Sequence, residues 1–193
     1  MWAENKKHSH QALVCSDIVW YHWLSKFEAE EGTMANRRNI GKLVGSLAAC
    51  YGAAAIGAVF TTPKISTWYA TLEKPAFTPP NAAFMPVWFT LYALMGIAVY
   101  LVWRKGLQTE GVKSAFILFW VQLVLNAVWS IVFFGYESLV GGFVVILALG
   151  VTLLITIIKF FRISKVAGGL LIPYIVWIGI ASALNGSVMM LNP

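Results

Sequence analysis

Charged residues are scarce in this sequence: Asp, Glu, Lys and Arg make up 11% of the 193 residues, whereas hydrophobic residues make up 59%. A typical water-soluble domain has about a quarter of its residues charged. The composition therefore excludes an ordinary soluble enzyme and indicates a membrane protein. The net charge of +6 is spread along the chain without a dense basic patch, so we expect no nucleic-acid partner.

Cysteine and histidine are also scarce, with two and three residues respectively. The two cysteines cannot form a disulfide framework, and Cys15 lies in a polar segment while Cys50 lies in an apolar run, so we expect no bridge between them. His8 and His10 are not accompanied by further ligands, and we predict no metal site. No apolar run has an ionisable residue near its centre, which argues against ion-driven transporters and voltage sensors.

Long apolar runs dominate the rest of the chain, and each can cross the roughly 30 Å hydrocarbon core of a bilayer as a helix. The alternating pattern of membrane β-strands is absent. We therefore predict an all-α membrane protein, a bundle of five transmembrane helices. The predicted helices cover about residues 40–60, 82–103, 112–134, 139–158 and 167–190.

The distribution of basic residues predicts the orientation, because cytoplasmic flanks collect Lys and Arg. Of the 14 basic residues, 12 precede or open the first span or flank the second and fourth connections. The N-terminus is thus predicted to be cytoplasmic and the C-terminus outside. A bacterial inner (cytoplasmic) membrane fits this pattern, and an organellar membrane is the alternative. A cleaved signal peptide in place of the first helix is disfavoured because no polar mature domain follows it.

The sequence divides into an N-terminal extension, residues 1–33, and a membrane domain, residues 34–193. The extension has two interpretations. Its apolar residues are spaced so that one side of a helix at the membrane surface would be hydrophobic. Alternatively, Met34 is the original start, and the residues before it are a non-native or disordered extension without a role.

The third predicted helix places Phe119, Gln122, Asn126, Trp129 and Phe133 on one face, at steps of three and four residues. A buried amide in hydrocarbon is costly unless it is paired, so Gln122 and Asn126 are expected to face other helices or a ligand cavity. Trp129 either lines such a cavity or belongs to the aromatic belt at the membrane boundary.

The fifth predicted helix has a similar stripe, formed by Tyr174, Trp177, Ala181 and Asn185. The large indole beside a small residue would either leave an aromatic-lined space for a flat apolar ligand or pack tightly in the bundle. The connection at residues 61–81 is long and contains Pro75, Pro79 and Pro80. Such a stiff segment is predicted to fold over the mouth of the bundle as a lid.

Three stretches are similar to a known family. Residues 68–80 read WYATLEKPAFTPP, residues 122–134 read QLVLNAVWSIVFF, and residues 173–177 read PYIVW. In this order and within five apolar spans, they resemble the TspO/MBR family, also called translocator proteins, tryptophan-rich sensory proteins or peripheral-type benzodiazepine receptors. The resemblance covers about residues 40–190. It departs from the family pattern at Phe77, where a tryptophan is usual, and the fifth helix lacks the basic residue of the animal sterol-recognition segment.

This resemblance implies a five-helix bundle, commonly a homodimer, with a pocket beneath the first loop. The expected ligands are porphyrins (protoporphyrin IX or haem), sterol-like lipids and other flat hydrophobic molecules, and no cofactor is required. The residues that match the family's pocket positions are Tyr51, Trp68, Pro75, Trp88, Asn126, Trp129, Trp177 and Ala181.

The function implied by the resemblance is the sensing, regulation or disposal of tetrapyrroles. Lys64 and Lys74 are the basic residues nearest the outer mouth, and we expect them to contact the propionates of a porphyrin. Two alternatives remain. One is photo-oxidative degradation of protoporphyrin IX, in which Trp68 and Trp177 would be the catalytic residues, and the other is transport of lipids or small hydrophobic molecules.

Overall fold

The computed structural model of the chain describes residues 36–193, and within this range every regular element is helical. The predicted all-α class is therefore confirmed. The elements are α1 (Asn36–Ile65), α2 (Trp68–Thr71), α3 (Asn81–Trp103), α4 (Val112–Gly135), α5 (Leu139–Ile163), α6 (Lys165–Leu170) and α7 (Ile172–Leu191). The two interpretations of residues 1–33 lie outside the described residues. Residues 36–41 form only the beginning of α1, and the compact unit considered below is Lys42–Pro193.

Five segments of the described chain are long and apolar enough to cross a membrane, as predicted: α1, α3, α4, α5, and α6 together with α7. The helices are longer than the apolar runs, since α1 begins four residues before residue 40 and α5 continues to Ile163. Helical hydrogen bonding does not require an apolar side chain, so polar residues extend a helix beyond the hydrocarbon layer. Arg162, in the last turn of α5, also interacts favourably with the negative end of the helix dipole.

Contacts between residues near the ends of the spans show that successive spans alternate in direction. At one end of the bundle, the Lys42 ammonium donates to the Trp103 carbonyl at 3.4 Å, and Lys159 donates to the Ser114 hydroxyl at 3.2 Å. At the other end, Lys64 forms an ion pair of 2.6 Å with Glu137. The side of the membrane on which each end lies remains a prediction from the basic residues.

Small residues permit the closest helix contacts around α1. A side chain at Gly96 of α3 would place its Cβ 2.7 Å from the Leu47 side chain and 3.1 Å from its Cα. Near the other end of α1, a Cβ at Gly57 would lie 3.0 Å from the Ser130 hydroxyl of α4. Glycine thus brings α1 close to α3 at one level and to α4 at another. Between these two levels, aromatic side chains surround a space.

Candidate functional site

A cavity of about 320 Å³ lies between α1, α3 and α4. Most of its wall is apolar, and seven of the lining side chains are aromatic: Tyr51, Phe84, Trp88, Phe89, Tyr92, Trp129 and Phe134. The polar lining residues include Asn81, Asn126 and Ser130. An apolar space with a few polar groups is the usual form of a small-molecule site.

The structure brings together Tyr51, Trp88, Asn126 and Trp129, four of the predicted site residues, in the wall of this cavity. The phenol of Tyr51 donates to the carbonyl oxygen of Phe89 at 3.1 Å, and the two ring centroids are 5.1 Å apart. This contact fixes the Tyr51 side chain across the gap between α1 and α3.

Asn126 lies at the centre of a buried hydrogen-bond network that joins three helices. Its side-chain oxygen accepts from the phenol of Tyr92 on α3, and its side-chain nitrogen donates to the phenol oxygen of Tyr174 on α7 at 2.9 Å. All three side chains are at least 94% buried. The amide therefore meets both expectations stated for it, because it pairs with other helices and also forms part of the cavity wall.

Trp129 is held in the wall by a second buried amide. Its indole nitrogen donates to Asn185 Oδ1 at 3.4 Å, while the Asn185 nitrogen donates to the Leu139 carbonyl at 3.2 Å. The ring also stacks on Phe133 with a centroid distance of 5.5 Å. With only 8% of its surface exposed, Trp129 faces the bundle and is not a residue of the lipid-facing aromatic belt.

The other predicted pocket residues do not line the cavity. Trp68 packs edge-on against Phe133 and Phe134, at centroid distances of 5.5 and 6.4 Å, so it stands behind the wall that Phe134 forms. Pro75 lies in the loop that follows α2, and Ala181 lies on α7, which contributes no lining residue. A role for these side chains in binding a ligand stays a prediction.

Trp177 lines a separate groove of about 400 Å³ between α3 and α7. Its ring contacts Phe84 and Trp88, which belong to the cavity wall, at centroid distances of 5.8 and 6.4 Å. The indole nitrogen is buried and finds no hydrogen-bond acceptor among residues 36–193. Trp68 and Trp177, predicted to act together in porphyrin degradation, therefore lie against different parts of the bundle, and neither faces the cavity.

Gln122 was expected to face other helices or a ligand cavity, and its burial confirms that it faces the interior of the bundle. The side chain is fully buried on α4, one turn from Asn126, and is not part of the cavity wall. Neither atom of its amide has a hydrogen-bond partner in the described part of the chain. The arrangement is energetically unfavourable, since a buried amide without a partner costs about 1–3 kcal/mol.

The two lysines predicted to contact propionates make contacts within the protein. Lys64 is paired with Glu137, and both side chains are little more than one-third exposed. Lys74 donates to the Leu72 carbonyl at 2.9 Å and lies 4.8 Å above the ring of Tyr69. Burial raises the pKa of Tyr69, so the phenol beneath this ammonium is neutral at physiological pH.

The part of the chain that forms the cavity is similar in sequence to known proteins. The model of the TspO/MBR family matches residues 46–191. The chain belongs to the TspO/MBR family. Among its relatives, the tryptophan-rich protein TspO of Archaeoglobus fulgidus is 44% identical over 154 residues, which cover 80% of this chain and 99% of the relative.

Other members of the TspO/MBR family show similar agreement. The tryptophan-rich sensory protein of Cereibacter sphaeroides is 35% identical over 146 residues, covering 76% of this chain and 88% of the relative. The human translocator protein is 35% identical over 131 residues, covering 67% of this chain and 78% of the relative. Family membership and the five apolar helices together establish an integral, multi-pass membrane protein.

Several lining residues of this TspO/MBR member were not identified from the sequence. Tyr92 and Phe84 are the main examples, and both share the α3 face of Trp88 at steps of four residues. This aromatic stripe is visible in the sequence and indicates a shared face, because residues four apart lie above one another on a helix. Tyr174 belongs to the stripe predicted on the fifth helix. Its contact with Asn126 depends on how α7 is rotated in the bundle.

Proposed function

We propose that this TspO/MBR protein binds a porphyrin, such as protoporphyrin IX or haem, in the cavity between α1, α3 and α4. The cellular role would be the sensing, regulation or disposal of tetrapyrroles. The observation that carries the proposal is the cavity wall itself, in which aromatic rings surround the buried amide of Asn126. A flat aromatic ligand gains both apolar burial and ring contacts in such a space.

The exposed rim of the cavity supports access for a hydrophobic ligand from the bilayer. Met85 and Phe89 of α3 line the cavity and are also 81% and 65% exposed, respectively. Ala58 and Thr62 of α1 are lining residues on the exposed surface as well. The cavity thus reaches the surface between α1 and α3, within the membrane-spanning part of both helices.

Titration of the detergent-solubilised protein with protoporphyrin IX in the dark tests the proposal through quenching of tryptophan fluorescence. We expect saturable quenching in the wild type. Trp88→Ala is expected to lower the affinity by at least about tenfold, because an aromatic contact is worth about 0.5–1.5 kcal/mol in addition to the area that it buries. Trp120→Phe is a matched control, since Trp120 lies outside the cavity wall and packs on Phe116 and Phe119. Non-saturable quenching in the wild type, or an equal loss of affinity in both variants, would contradict the proposal.

Transport of lipids or small hydrophobic molecules is a second candidate, favoured by the same opening between α1 and α3. A carrier must release its ligand on the other side of the membrane, whereas a sensor must only bind it. Flux of a fluorescent lipid or porphyrin across proteoliposomes separates these functions. Flux above that of protein-free vesicles would favour transport, and saturable binding without flux would favour a sensor.

A further inference from the structure

The connection between α1 and α3, residues 66–80, is attached to the bundle in two different ways, and we refer to it as the lid. Its first half is held by aromatic packing. Tyr69 of α2 is 96% buried and packs on Phe133 and Phe134 at centroid distances of 6.3 and 5.8 Å. Because these contacts bury large apolar surfaces, this half is firmly fixed to α4.

The second half of the lid begins at Glu73 and is tied by hydrogen bonds to one side chain near the end of the chain. The backbone N–H of Glu73 donates to Asn192 Oδ1 at 3.0 Å, and Asn192 Nδ2 donates to the Glu73 carbonyl at 3.0 Å. Asn192 Nδ2 also donates to the Val188 carbonyl at 2.8 Å, which anchors the amide to the last turn of α7. Within the described residues, no other hydrogen bond joins residues 73–80 to α4, α5 or α7.

The side chain of this contact must be able to accept and to donate a hydrogen bond, as the amide of Asn192 does. Both backbone groups of Glu73 are satisfied at once, so the side chain at residue 192 must accept one hydrogen bond and donate another. A carboxylate has no hydrogen to donate, and an aliphatic side chain offers neither group. The contact joins positions 119 residues apart in the chain. It therefore links the lid to α7, an element that takes no part in the cavity wall.

The lid adjoins one end of the cavity, although none of residues 66–80 lines it. Ile65, just before it, and Asn81, just after it, both line the cavity. Trp68, inside the lid, packs on the lining residue Phe134. Movement of the second half would therefore shift the start of α3 and open this end of the cavity.

We propose that Asn192 is a latch, which holds the second half of the lid, and with it the start of α3, in place at one end of the cavity and thereby limits the rate at which ligands enter and leave. The part that concerns ligands rests on the proposed porphyrin site. The part that concerns the lid stands on the Glu73–Asn192 contact alone. Asn192 acts on the ligand through the lid and is thus a positioning residue.

Amide hydrogen exchange of the full-length protein in detergent tests the latch without any ligand. In Asn192→Leu, exchange across residues 73–78 is expected to become about tenfold faster, because two modest hydrogen bonds that hold the closed state are lost. Asn192→Asp is expected to give a smaller increase, since it keeps the acceptor and loses the donor. Pro193→Ala is the matched control, because it alters the adjacent residue and leaves the amide intact. Exchange in α5 serves as the internal check that the fold is preserved.

Stopped-flow mixing with protoporphyrin IX then tests the consequence for ligands. Association and dissociation are both expected to be about tenfold faster in Asn192→Leu, with little change in Kd, because a latch alters the barrier more than the bound state. Unchanged exchange across residues 73–78 would overturn the latch. Faster exchange with unchanged binding rates would overturn its control of ligand access. If the wild type does not bind protoporphyrin IX, the porphyrin proposal fails, and the exchange measurement still decides whether Asn192 holds the lid.

Discussion

Two faces of α3 border two different spaces. Phe84, Trp88 and Tyr92 line the cavity shared with α1 and α4, whereas Pro86 and Thr90 line the groove shared with α7. The cavity wall contains the amide of Asn126 and the hydroxyl of Ser130. The groove has the hydroxyl of Thr90, which already donates to the Pro86 carbonyl at 2.9 Å, and the buried indole N–H of Trp177. The cavity wall, unlike the groove, combines aromatic surface with an amide and a hydroxyl from a second helix.

This difference shows how one membrane helix can present a ligand-binding face to the cavity and an apolar face to the groove. Polar groups in lipid must be paired, and a hydroxyl that donates within its own helix has no second hydrogen to offer a ligand. Pairing between helices, as at Asn126, holds polar atoms in fixed positions beside a space. Substitutions on the two faces of α3 and around the cavity test whether the cavity and the groove differ in this way.

The largest expected effect is on stability, from Asn126→Leu. The substitution leaves the buried phenols of Tyr92 and Tyr174 without the amide that links them. Each buried polar group without a partner costs about 1–3 kcal/mol, so we expect the free energy of unfolding to fall by about 2–5 kcal/mol. Thermal or denaturant unfolding in detergent measures this change.

Thr90→Val, on the groove face of α3, is the control for Asn126→Leu. Its hydroxyl bonds only to its own helix, so the change is expected to alter stability by less than about 0.5 kcal/mol. Equal losses in the two variants would mean that the cavity and the groove do not differ in their dependence on polar groups.

A smaller effect is expected from the Lys64→Ala/Lys74→Ala double variant, which tests the predicted propionate contacts. If these ammonium groups bind propionates, protoporphyrin IX should bind about threefold to tenfold more weakly, since each exposed ion pair contributes about 0.2–1 kcal/mol. The loss should shrink as salt is raised. Binding of an uncharged porphyrin ester is the control and should be unaffected. Equal affinity of the double variant and the wild type for protoporphyrin IX would remove the propionate assignment.

The smallest effect on ligand affinity is expected from Trp177→Phe, which keeps an aromatic ring beside the groove and removes an N–H. Because that N–H has no acceptor among the described residues, its removal is expected to stabilise the protein by about 1 kcal/mol. Protoporphyrin IX affinity should change by less than about twofold, since Trp177 does not line the cavity. A tenfold loss would show that the porphyrin site extends through the Phe84 and Trp88 wall, and loss of a light-dependent product would support the degradation alternative.

Much of the candidate site was predictable because its residues repeat at helical spacing. Asn126 and Trp129 share one face of α4, and the structure places both in the cavity wall. The same argument was less successful at α7, where Tyr174 and Trp177 belong to one predicted stripe. Tyr174 reaches Asn126 behind the cavity, whereas Trp177 turns toward α3 and the groove. Spacing identifies which residues share a face but not the neighbour that the face contacts.

The lid shows the same limit at the level of single bonds. Its length, its prolines and the apolar character of Trp68 and Tyr69 predict a segment folded over the mouth of the bundle, and the structure shows Tyr69 packed against Phe133 and Phe134. The contact between Glu73 and Asn192 was not predictable, because hydrogen bonds between positions 119 residues apart depend on how the lid meets the end of α7.

The sequence by itself determined the membrane class, the five helical spans and the family. These follow from local quantities: the hydropathy of about 20 consecutive residues, the positions of charged residues and three short motifs. The tertiary structure alone decided which aromatic residues enclose the cavity, that Trp177 borders a groove instead, and that Asn126 joins three helices. The physical reason is that the rotation and separation of helices arise from packing between distant residues, such as Gly57 against Ser130, and this information is not contained in any single helix.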